Sequence, residues 1–334
     1  MIKLGAFGDI VHTLPAIDDL LQRPEVNEVH FLVDQRYAFV TGIFPRNVQI
    51  HVIDIKNAGV FASSMALLRK LRNMHFDATL ELQGLIKSSV LARFISSRVY
   101  GMDSGYCRER ISSWLTRPVR FHPEDRHVVQ QYRRVATGPF VAGVKTLPSE
   151  FLPYRPPHVQ LTDRMYSAGS SLLSQICIRP GQYVVLHLGG GWETKTLPEQ
   201  TWQEVAKGVI ENGLTPLFCW GNAKEEEAAR KLGKQIKKFI ILPRRVGTPE
   251  LCGLLAEARA VIGADTGVLH LAAALGTNTA TFWGPSASWR SGPLEKIHIH
   301  VEAGTECGPC FQRKCNKFIC MDQIRSRSLL QVLK

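Results

Sequence analysis

Long apolar runs are the first thing that this sequence lacks. No run of about 18 apolar residues occurs among the 334 residues, so the sequence predicts no transmembrane helix. The stretch from Met1 to Asp9 also lacks the apolar core of a secretory signal peptide. We therefore expect a cytoplasmic protein, and the chain length favours two domains over a single core.

Three motifs that mark other kinds of protein are missing as well. Gly5-x-x-Gly8 follows the first apolar segment, but it is not the dinucleotide fingerprint G-x-G-x-x-G. The P-loop pattern is absent, so ATP hydrolysis is not indicated. No Asp-x-Asp triplet occurs, although an enzyme that holds a nucleotide sugar through a divalent metal would usually carry paired carboxylates.

Acidic residues are scarce relative to basic ones. The chain has 29 Asp and Glu against 41 Lys and Arg, which gives a formal net charge of +12. Between Arg69 and Arg134 the count is 13 basic against 6 acidic residues. This excess favours a polyanionic partner, such as a phosphorylated lipid, a membrane surface or a nucleic acid. A solvated basic surface without a partner is the alternative, and no helix-turn-helix, RNA-recognition or finger motif supports nucleic-acid binding.

Short apolar segments alternate with helical patterns in both halves of the chain, which predicts βαβ units and parallel sheets. A proline-rich segment around residues 148–157 separates the halves. We expect domains at 1–155 and 156–320, with a cleft between them, and a C-terminal helix at 321–334. The predicted strands are Met1–Leu4, Val29–Val33, Val48–Ile55, Ala78–Leu82 and Val99–Met102, then Tyr183–Leu188, Pro216–Trp220, Phe239–Leu242, Ala260–Ile262 and Ala280–Trp283.

Four of the eight cysteines crowd the C-terminal region with the spacing C-x2-C-x4-C-x4-C. Cytoplasmic thiols stay reduced, so a disulfide framework is disfavoured. A four-thiolate zinc site is one interpretation, but the spacing matches no standard ribbon or finger. We predict no metal site and leave the zinc alternative open. The four residues are Cys307, Cys310, Cys315 and Cys320.

Polar and glycine-rich segments follow several predicted strands, at the sheet edge where α/β proteins bind ligands. Asp9 follows the first strand, where its carboxylate could accept a proton from a substrate hydroxyl or could cap a helix. Three glycines and then Lys195 follow the strand at 183–188, and Glu225 follows the next strand. Asp265-Thr266-Gly267 opens an alanine-rich helix that carries His270, and such a helix start favours a phosphate.

These segments together resemble one family, the bacterial lipopolysaccharide heptosyltransferases of glycosyltransferase family nine. The resemblance covers nearly the whole chain, and the stretch from Gln83 to Asp103 is most similar to the type that adds the first heptose to Kdo. The segments that carry it are Gly8-Asp9, His12-Thr13-Leu14-Pro15, Gln83-Gly84-Leu85-Ile86-Lys87-Ser88, Gly101-Met102-Asp103, Lys195 with Pro198-Glu199, Trp220-Gly221, Asp265-Thr266-Gly267 with His270, and Phe282-Trp283-Gly284-Pro285.

The resemblance implies a GT-B fold, in which two Rossmann-like parallel-sheet domains face a central cleft. It implies ADP-heptose as donor, the lipid-linked Kdo or heptose inner core as acceptor, and inversion without a metal or cofactor. Asp9 corresponds to the catalytic base, and the expected donor-binding residues are Gly190, Gly191, Lys195, Glu225, Asp265, Thr266, Gly267 and His270.

The basic N-terminal domain supplies the expected acceptor-binding residues, Arg69, Lys70, Arg72 and Arg108. Its charge also predicts peripheral binding to the inner leaflet, and the absence of a nucleic-acid-binding motif predicts no role for nucleic acid. Gly190-Gly191 and Gly5-Ala6 depart from the hydroxyl residues that relatives carry there, which leaves another GT-B nucleotide-sugar transferase as an alternative function. Glu226 is the alternative to Glu225 as the ribose-binding acid. A basic nucleic-acid-binding protein is the remaining alternative.

Overall fold

The computed structural model describes residues 1–55, 61–141 and 148–334. The chain divides into two compact units, Met1–Pro157 and His158–Lys334. The division falls at the end of the proline-rich segment, because prolines fix φ and remove backbone donors that a helix or a central strand would need. No helix among the described residues is long and apolar enough to cross a membrane.

The first unit contains a parallel sheet arranged around the first residues of the chain. Ile2 forms parallel bridges with Leu32 on one side and Glu81 on the other, so the predicted strand at Met1–Leu4 contributes only this short central ladder. The strand that contains Leu32 and one further strand lie on one side of Ile2, and three strands lie on the other side. The strands are β1 (Val29–Asp34), β2 (Val48–Ile53), β3 (Thr79–Leu80), β4 (Val99–Met102) and β5 (Arg117–Val119).

Among the described residues of this unit, five α-helices accompany the sheet, together with 3₁₀ segments that include Gln35–Ile43 and Arg110–Leu115. One cluster of the core contains Leu4, Leu32 and Val99 from the sheet, packed with apolar residues of the helices. The helices are α1 (Phe7–Val11), α2 (Leu14–Leu21), α3 (Phe61–Asn73), α4 (Ile86–Ile95) and α5 (Val128–Thr137).

The second unit has a six-stranded parallel sheet of order β11-β10-β9-β6-β7-β8. Strands β6 and β9 lie at its centre and are buried along their whole length, which explains their continuous apolar sequences. The strands are β6 (Tyr183–His187), β7 (Thr215–Cys219), β8 (Ile240–Ile241), β9 (Ala260–Ala264), β10 (Thr279–Trp283) and β11 (His298–Glu302). The helices are α6 (Asp163–Gln175), α7 (Glu199–Glu211), α8 (Ala223–Gly233), α9 (Thr248–Ala256), α10 (Gly267–Ala274), α11 (Ser288–Ser291) and α12 (Ser326–Leu329).

Both sheets have the same topology, and it determines where ligands can bind. In each unit the chain adds strands outward on one side of its first strand and then returns to add the remaining strands on the other side. The order therefore reverses between residues 1–4 and β3 in the first unit, and between β6 and β9 in the second. Ligands of open α/β sheets bind beyond the carboxyl ends of the strands at such a reversal.

The chain end differs from the single helix expected at 321–334. It forms a 3₁₀ turn at Met321–Gln323, then α12, then a second 3₁₀ turn at Leu330–Leu333. Leu329 and Val332 are buried in the core of the second unit, so packing rather than helix length determines this segment. Two strands, β5 and β11, were not expected from the sequence, because both lie at a sheet edge and carry polar residues.

Candidate functional site

Lys195 and Asp265 form an ion pair at the reversal point of the second sheet. Lys195 ends a short 3₁₀ turn after β6, and Asp265 directly follows β9. The Lys195 ammonium donates to the Asp265 backbone oxygen at 2.9 Å and to its carboxylate Oδ2 at 2.6 Å. Both side chains are nearly buried, with exposed fractions of 9% and 12%. The sheet topology therefore brings together two predicted donor-site residues that lie far apart in sequence.

His270 contacts the other oxygen of the same carboxylate. Its Nε2 lies 2.8 Å from Asp265 Oδ1, and since a carboxylate only accepts, Nε2 carries the proton. Burial alone would raise the pKa of Asp265, but the hydrogen bond from His270 and the charge of Lys195 outweigh it and hold that pKa well below its usual range. Asp265 is therefore a fixed anion that orients one cationic and one aromatic side chain.

Helix α10 begins immediately beside this pair. Thr266 is the N-cap residue, with extended backbone and no side-chain capping bond, and Gly267 is the first helical residue. The Asp265 carboxylate binds the side chains of Lys195 and His270. The Thr266 hydroxyl is buried and has no hydrogen-bond partner within the described part of the chain. A buried hydroxyl beside the N–H groups of a helix start is suited to bind an anionic ligand.

The glycine loop after β6 takes its shape from the absence of side chains. A Cβ on Gly190 would lie 2.7 Å from the Lys195 backbone oxygen, too close for any other residue. Gly191 has φ +69°, in the left-handed region that favours glycine. The loop then presents Trp192, whose ring centroid lies 4.3 Å from Lys195 Nζ. The two glycines therefore allow the loop to fold back tightly onto Lys195.

Glu225 rather than Glu226 lies at this edge of the sheet. The Glu225 carboxylate accepts hydrogen bonds from the Gly221 N–H at 2.8 Å and from the Asn222 side-chain amide at 2.7 Å. A Cβ on Gly189 would lie only 2.4 Å from Glu225 Oε1, so this carboxylate sits directly against the glycine loop. Glu226 instead pairs with Arg230 along the exposed face of α8. Of the two glutamates, Glu225 is therefore the one that lies against the glycine loop, and its role in donor binding stays a prediction.

In the first unit, Asp9 lies in the first turn of α1, close to a buried lysine. Asp9 Oδ2 is 3.5 Å from Lys3 Nζ, and its side chain is 32% exposed whereas that of Lys3 is 3% exposed. The Lys3 ammonium also donates to the Leu82 backbone oxygen at 2.9 Å and to the Tyr132 hydroxyl at 2.6 Å. Asp9 thus combines a buried cationic neighbour with a partly accessible carboxylate.

Gly5 provides the turn that leads into α1. Its φ is +154°, and a Cβ there would lie 2.2 Å from the ring of Tyr37. A larger residue would displace either that ring or the backbone that positions Asp9.

Glu81 is a second buried ionisable residue, near Lys3, and neither Glu81 nor Lys3 was predicted from the sequence. The Glu81 carboxylate accepts from the N–H groups of Gln83 and Gly84 and from the Ser88 hydroxyl at 2.7 Å. Burial raises the pKa of Glu81, although these hydrogen bonds and the charge of Lys3 oppose the rise. Each is a charged residue inside or directly after an otherwise apolar strand. Burial of such a residue costs free energy unless it is paired, so this pattern in the sequence could have identified both.

The four basic residues expected to hold the acceptor do not form one cluster. Arg69, Lys70 and Arg72 are exposed in the last two turns of α3. Because α3 connects the end of one parallel strand to the start of another, this end of the helix lies toward the amino ends of the strands, away from Asp9. Arg108 lies at the carboxyl edge instead, where its backbone nitrogen is 3.3 Å from the position of a Cβ on Gly84.

The C-terminal cysteines do not assemble into a metal centre. Cys307 and Cys315 are exposed, and Cys310 and Cys320 are partly buried, all as free thiols. Within residues 1–55, 61–141 and 148–334, no group of three or more His, Cys, Asp or Glu side chains is arranged to hold a metal ion. The four-thiolate zinc interpretation therefore gains no support from the structure.

Two units that each contain a parallel sheet are the architecture of the GT-B class of glycosyltransferases. Residues 64–318 match the model of glycosyltransferase family 9 (heptosyltransferase), so the chain belongs to that family. The chain is 28% identical to lipopolysaccharide heptosyltransferase 1 of Pseudomonas aeruginosa over 325 residues, which cover 94% of this chain and 86% of that protein.

Two solved structures confirm the predicted fold. The Escherichia coli heptosyltransferase WaaC with ADP superposes with a TM-score of 0.75 at 23% identity and covers 99% of this chain and 97% of that one. A family 9 glycosyltransferase from Veillonella parvula gives a TM-score of 0.78 at 17% identity and covers 99% and 94%. The cleft expected between the two domains stays a prediction.

Proposed function

We propose that this protein transfers heptose from ADP-heptose to the lipid-linked Kdo of the lipopolysaccharide inner core, with inversion and without a metal ion. The Lys195–Asp265 pair at the start of α10 is the observation that carries the proposal. A fixed cation together with the N–H groups of the helix start would stabilise the negative charge that a diphosphate leaving group gains. Membership of the family and the names of the similar proteins support heptose as the transferred sugar.

The donor would bind at the carboxyl edge of the second sheet. Lys195, Thr266 and Gly267 would contact the phosphates, while Gly190 and Gly191 let the backbone approach them. Asp265 and His270 would hold Lys195 and the helix start in place. Glu225 has the exposure and position to accept hydrogen bonds from ribose hydroxyls, as carboxylates do at the equivalent edge of other nucleotide-binding sheets.

The reaction would be a single displacement. An acceptor hydroxyl attacks the anomeric carbon while Asp9 takes its proton, and the bond from that carbon to the phosphate oxygen breaks to release ADP. Attack on the face opposite the leaving group inverts the configuration. General base catalysis of this kind contributes about 10²–10⁴-fold. Lys3 would act as a positioning residue, because its buried ammonium lies beside Asp9.

Basic residues of the first unit would bind both the acceptor and the membrane surface. Arg108 lies at the same sheet edge as Asp9, so it would contact the anionic sugar that carries the reacting hydroxyl. Arg69, Lys70 and Arg72 would contact anionic lipid headgroups at the cytoplasmic face of the inner membrane. Reversal of these three residues to Glu should weaken sedimentation with anionic vesicles and leave ADP affinity unchanged, and added salt should weaken the wild-type interaction.

A panel of nucleotide sugars separates this proposal from another GT-B transferase. We expect ADP-heptose to raise the Tm more than ADP-glucose, UDP-glucose or GDP-mannose, because a ligand that binds only the native state stabilises it. ADP release in the presence of a Kdo-bearing acceptor should follow the same order. Equal stabilisation and turnover with a different donor would assign a different sugar to the site.

A further inference from the structure

An apolar face on the first unit is exposed where a soluble protein would normally bury it. Trp114 is 83% exposed, Ile111 54%, Val90 53% and Ile86 38%. We refer to these four residues as the apolar face. Scattered apolar side chains on a surface are ordinary, but a tryptophan exposed to this degree beside three aliphatic side chains indicates an interaction site.

Secondary structure places these residues in two matched pairs. Ile86 and Val90 are four residues apart in α4, so they project from the same face of that helix. Ile111 and Trp114 are three residues apart in the 3₁₀ segment Arg110–Leu115, where side chains at i and i+3 eclipse each other. The opposite sides of both elements are buried, through Ser88 and Ala92 in α4 and through Ser112 and Ser113 in the 3₁₀ segment.

The two elements pack against each other, so the pairs are neighbours in space. Glu109, at the start of the 3₁₀ segment, accepts a hydrogen bond from the Ile86 N–H at 2.6 Å. The Glu109 N–H in turn donates to the Gly84 oxygen at 3.0 Å. These contacts tie the start of α4 to the segment that carries Trp114, so the apolar face is held by ordered structure.

Basic side chains are exposed on the same elements as the apolar face. Lys87 and Arg93 are exposed on α4, and Arg110 is exposed beside Ile111. Arg72 reaches α4 from α3, with its guanidinium 5.4 Å from the centroid of the Phe94 ring. This combination of an apolar centre and a cationic margin is complementary to the headgroup region of an anionic bilayer.

We propose that Ile86, Val90, Ile111 and Trp114 insert into the interface of an anionic membrane while the surrounding lysine and arginine side chains contact its headgroups. A second copy of this chain is a poorer occupant, because a two-fold contact would bring the same cationic margins against each other. Tryptophan favours the membrane interface, where its ring is apolar and its N–H remains hydrated. The inference rests on the membrane binding proposed above and adds an apolar contact to it.

The test compares two full-length variants that keep every charge. Ile111→Ser with Trp114→Ser removes the most exposed part of the apolar face. Trp289→Ser is the matched control, since it removes a tryptophan that is 54% exposed in the second unit. Binding is measured by sedimentation with phosphatidylcholine vesicles that contain or lack phosphatidylglycerol, and insertion is measured by tryptophan quenching with brominated lipids.

We expect the double variant to bind phosphatidylglycerol vesicles about tenfold or more weakly than wild type and to lose most of the lipid quenching. The control should bind as wild type, and ADP affinity should be unchanged in both. Equal vesicle binding and quenching by wild type and the double variant would overturn the proposal, as would a wild type that binds no vesicles. Loss of a wild-type dimer with unchanged vesicle binding would assign the face to self-association.

Heptose transfer to a delipidated, water-soluble acceptor distinguishes the two proposals. If wild type and the double variant both transfer heptose and bind vesicles equally, membrane insertion is refuted and the proposed reaction is not. Normal insertion without any transfer from ADP-heptose would remove the proposed reaction alone.

Discussion

Lys195 Nζ lies 2.6 Å from Asp265 Oδ2 at the point where the strand order of the second sheet reverses. One residue follows β6 and the other follows β9, so the pair connects the two central strands beyond their carboxyl ends. An ammonium has three donors, and Asp265 accepts from two of them through its carboxylate and its backbone oxygen. The remaining donor direction of Lys195 and the adjacent N–H groups of α10 are the groups that the proposed function assigns to the phosphates.

Removal of either partner should weaken nucleotide binding. We expect Lys195→Ala and Asp265→Ala each to reduce ADP affinity about tenfold or more, because a charged hydrogen bond contributes roughly 1.5–3 kcal/mol. The losses should not add in the double variant, since the two residues act as a pair. Titration calorimetry with ADP measures this, with Lys231→Ala as control because that lysine forms an exposed pair with Glu199. Unchanged affinity in both single variants would place the donor elsewhere.

Replacement of Lys3 should separate catalysis from donor binding. Lys3→Met keeps the apolar volume of the side chain but removes the cation beside Asp9 and the hydrogen bonds to Leu82 and Tyr132. We expect kcat to fall about tenfold or more with ADP affinity retained, because the donor contacts lie in the other unit. Lys3→Arg, which keeps the charge, should lose less than Lys3→Met. An unchanged kcat in Lys3→Met would show that the contact with Asp9 has no catalytic role.

Glu81 should make stability depend on pH. Its pKa in the folded protein lies above its ordinary value of 4.5, so the folded state holds the proton over a range where the unfolded chain releases it. Its contribution to the free energy of unfolding is therefore greatest below pH 4.5 and falls as the pH rises toward the folded pKa. The limiting slope is about 1.4 kcal/mol per pH unit. The difference between wild type and Glu81→Gln, measured by urea unfolding, should decrease with pH over that range; a constant difference would contradict this.

Transfer activity should survive chelation. The sequence contains no Asp-x-Asp triplet, and Lys195 with the start of α10 already supplies positive charge for the leaving group. We expect full activity after incubation with EDTA and dialysis. Activity that is lost and then restored by magnesium or manganese would refute metal independence, whereas restoration by zinc alone would direct attention to the C-terminal cysteines.

Contiguous patterns in the sequence predicted much of this structure. The central strands were found because both faces of each are buried, which leaves uninterrupted apolar runs, and the turn from Asp265 to His270 was found because its residues lie within six positions. Partners that meet only through the fold were not predictable. Lys3 and Glu81 come from neighbouring strands that are distant in the chain, and Trp192 reaches Lys195 through the shape of the glycine loop.

The direction of α3 explains why the basic residues of the first unit do not form the single acceptor site expected from the sequence. Its charge was visible in the sequence, but the positions of Arg69 and Arg108 at opposite edges of the sheet depend on the path of α3 and on the loop after β4. The exposure of individual side chains was also not predictable from the sequence. Trp114 belongs to a 3₁₀ segment whose serines face inward, although residue type alone would place the tryptophan inside.

Heptose transfer from ADP-heptose and the role of Asp9 as its catalytic base are tested by comparing wild type with Asp9→Asn. Asn keeps the shape of the side chain but cannot take the proton of the acceptor hydroxyl. The measurement is ADP release with a Kdo-bearing acceptor, together with ADP affinity, and Asp77→Asn serves as an exposed control in the same unit. We expect wild type and the Asp77→Asn control to transfer heptose. Asp9→Asn should bind ADP normally but lose about 10²-fold or more of its transfer rate. No transfer by wild type, or turnover of Asp9→Asn within a few fold of wild type, would contradict this expectation.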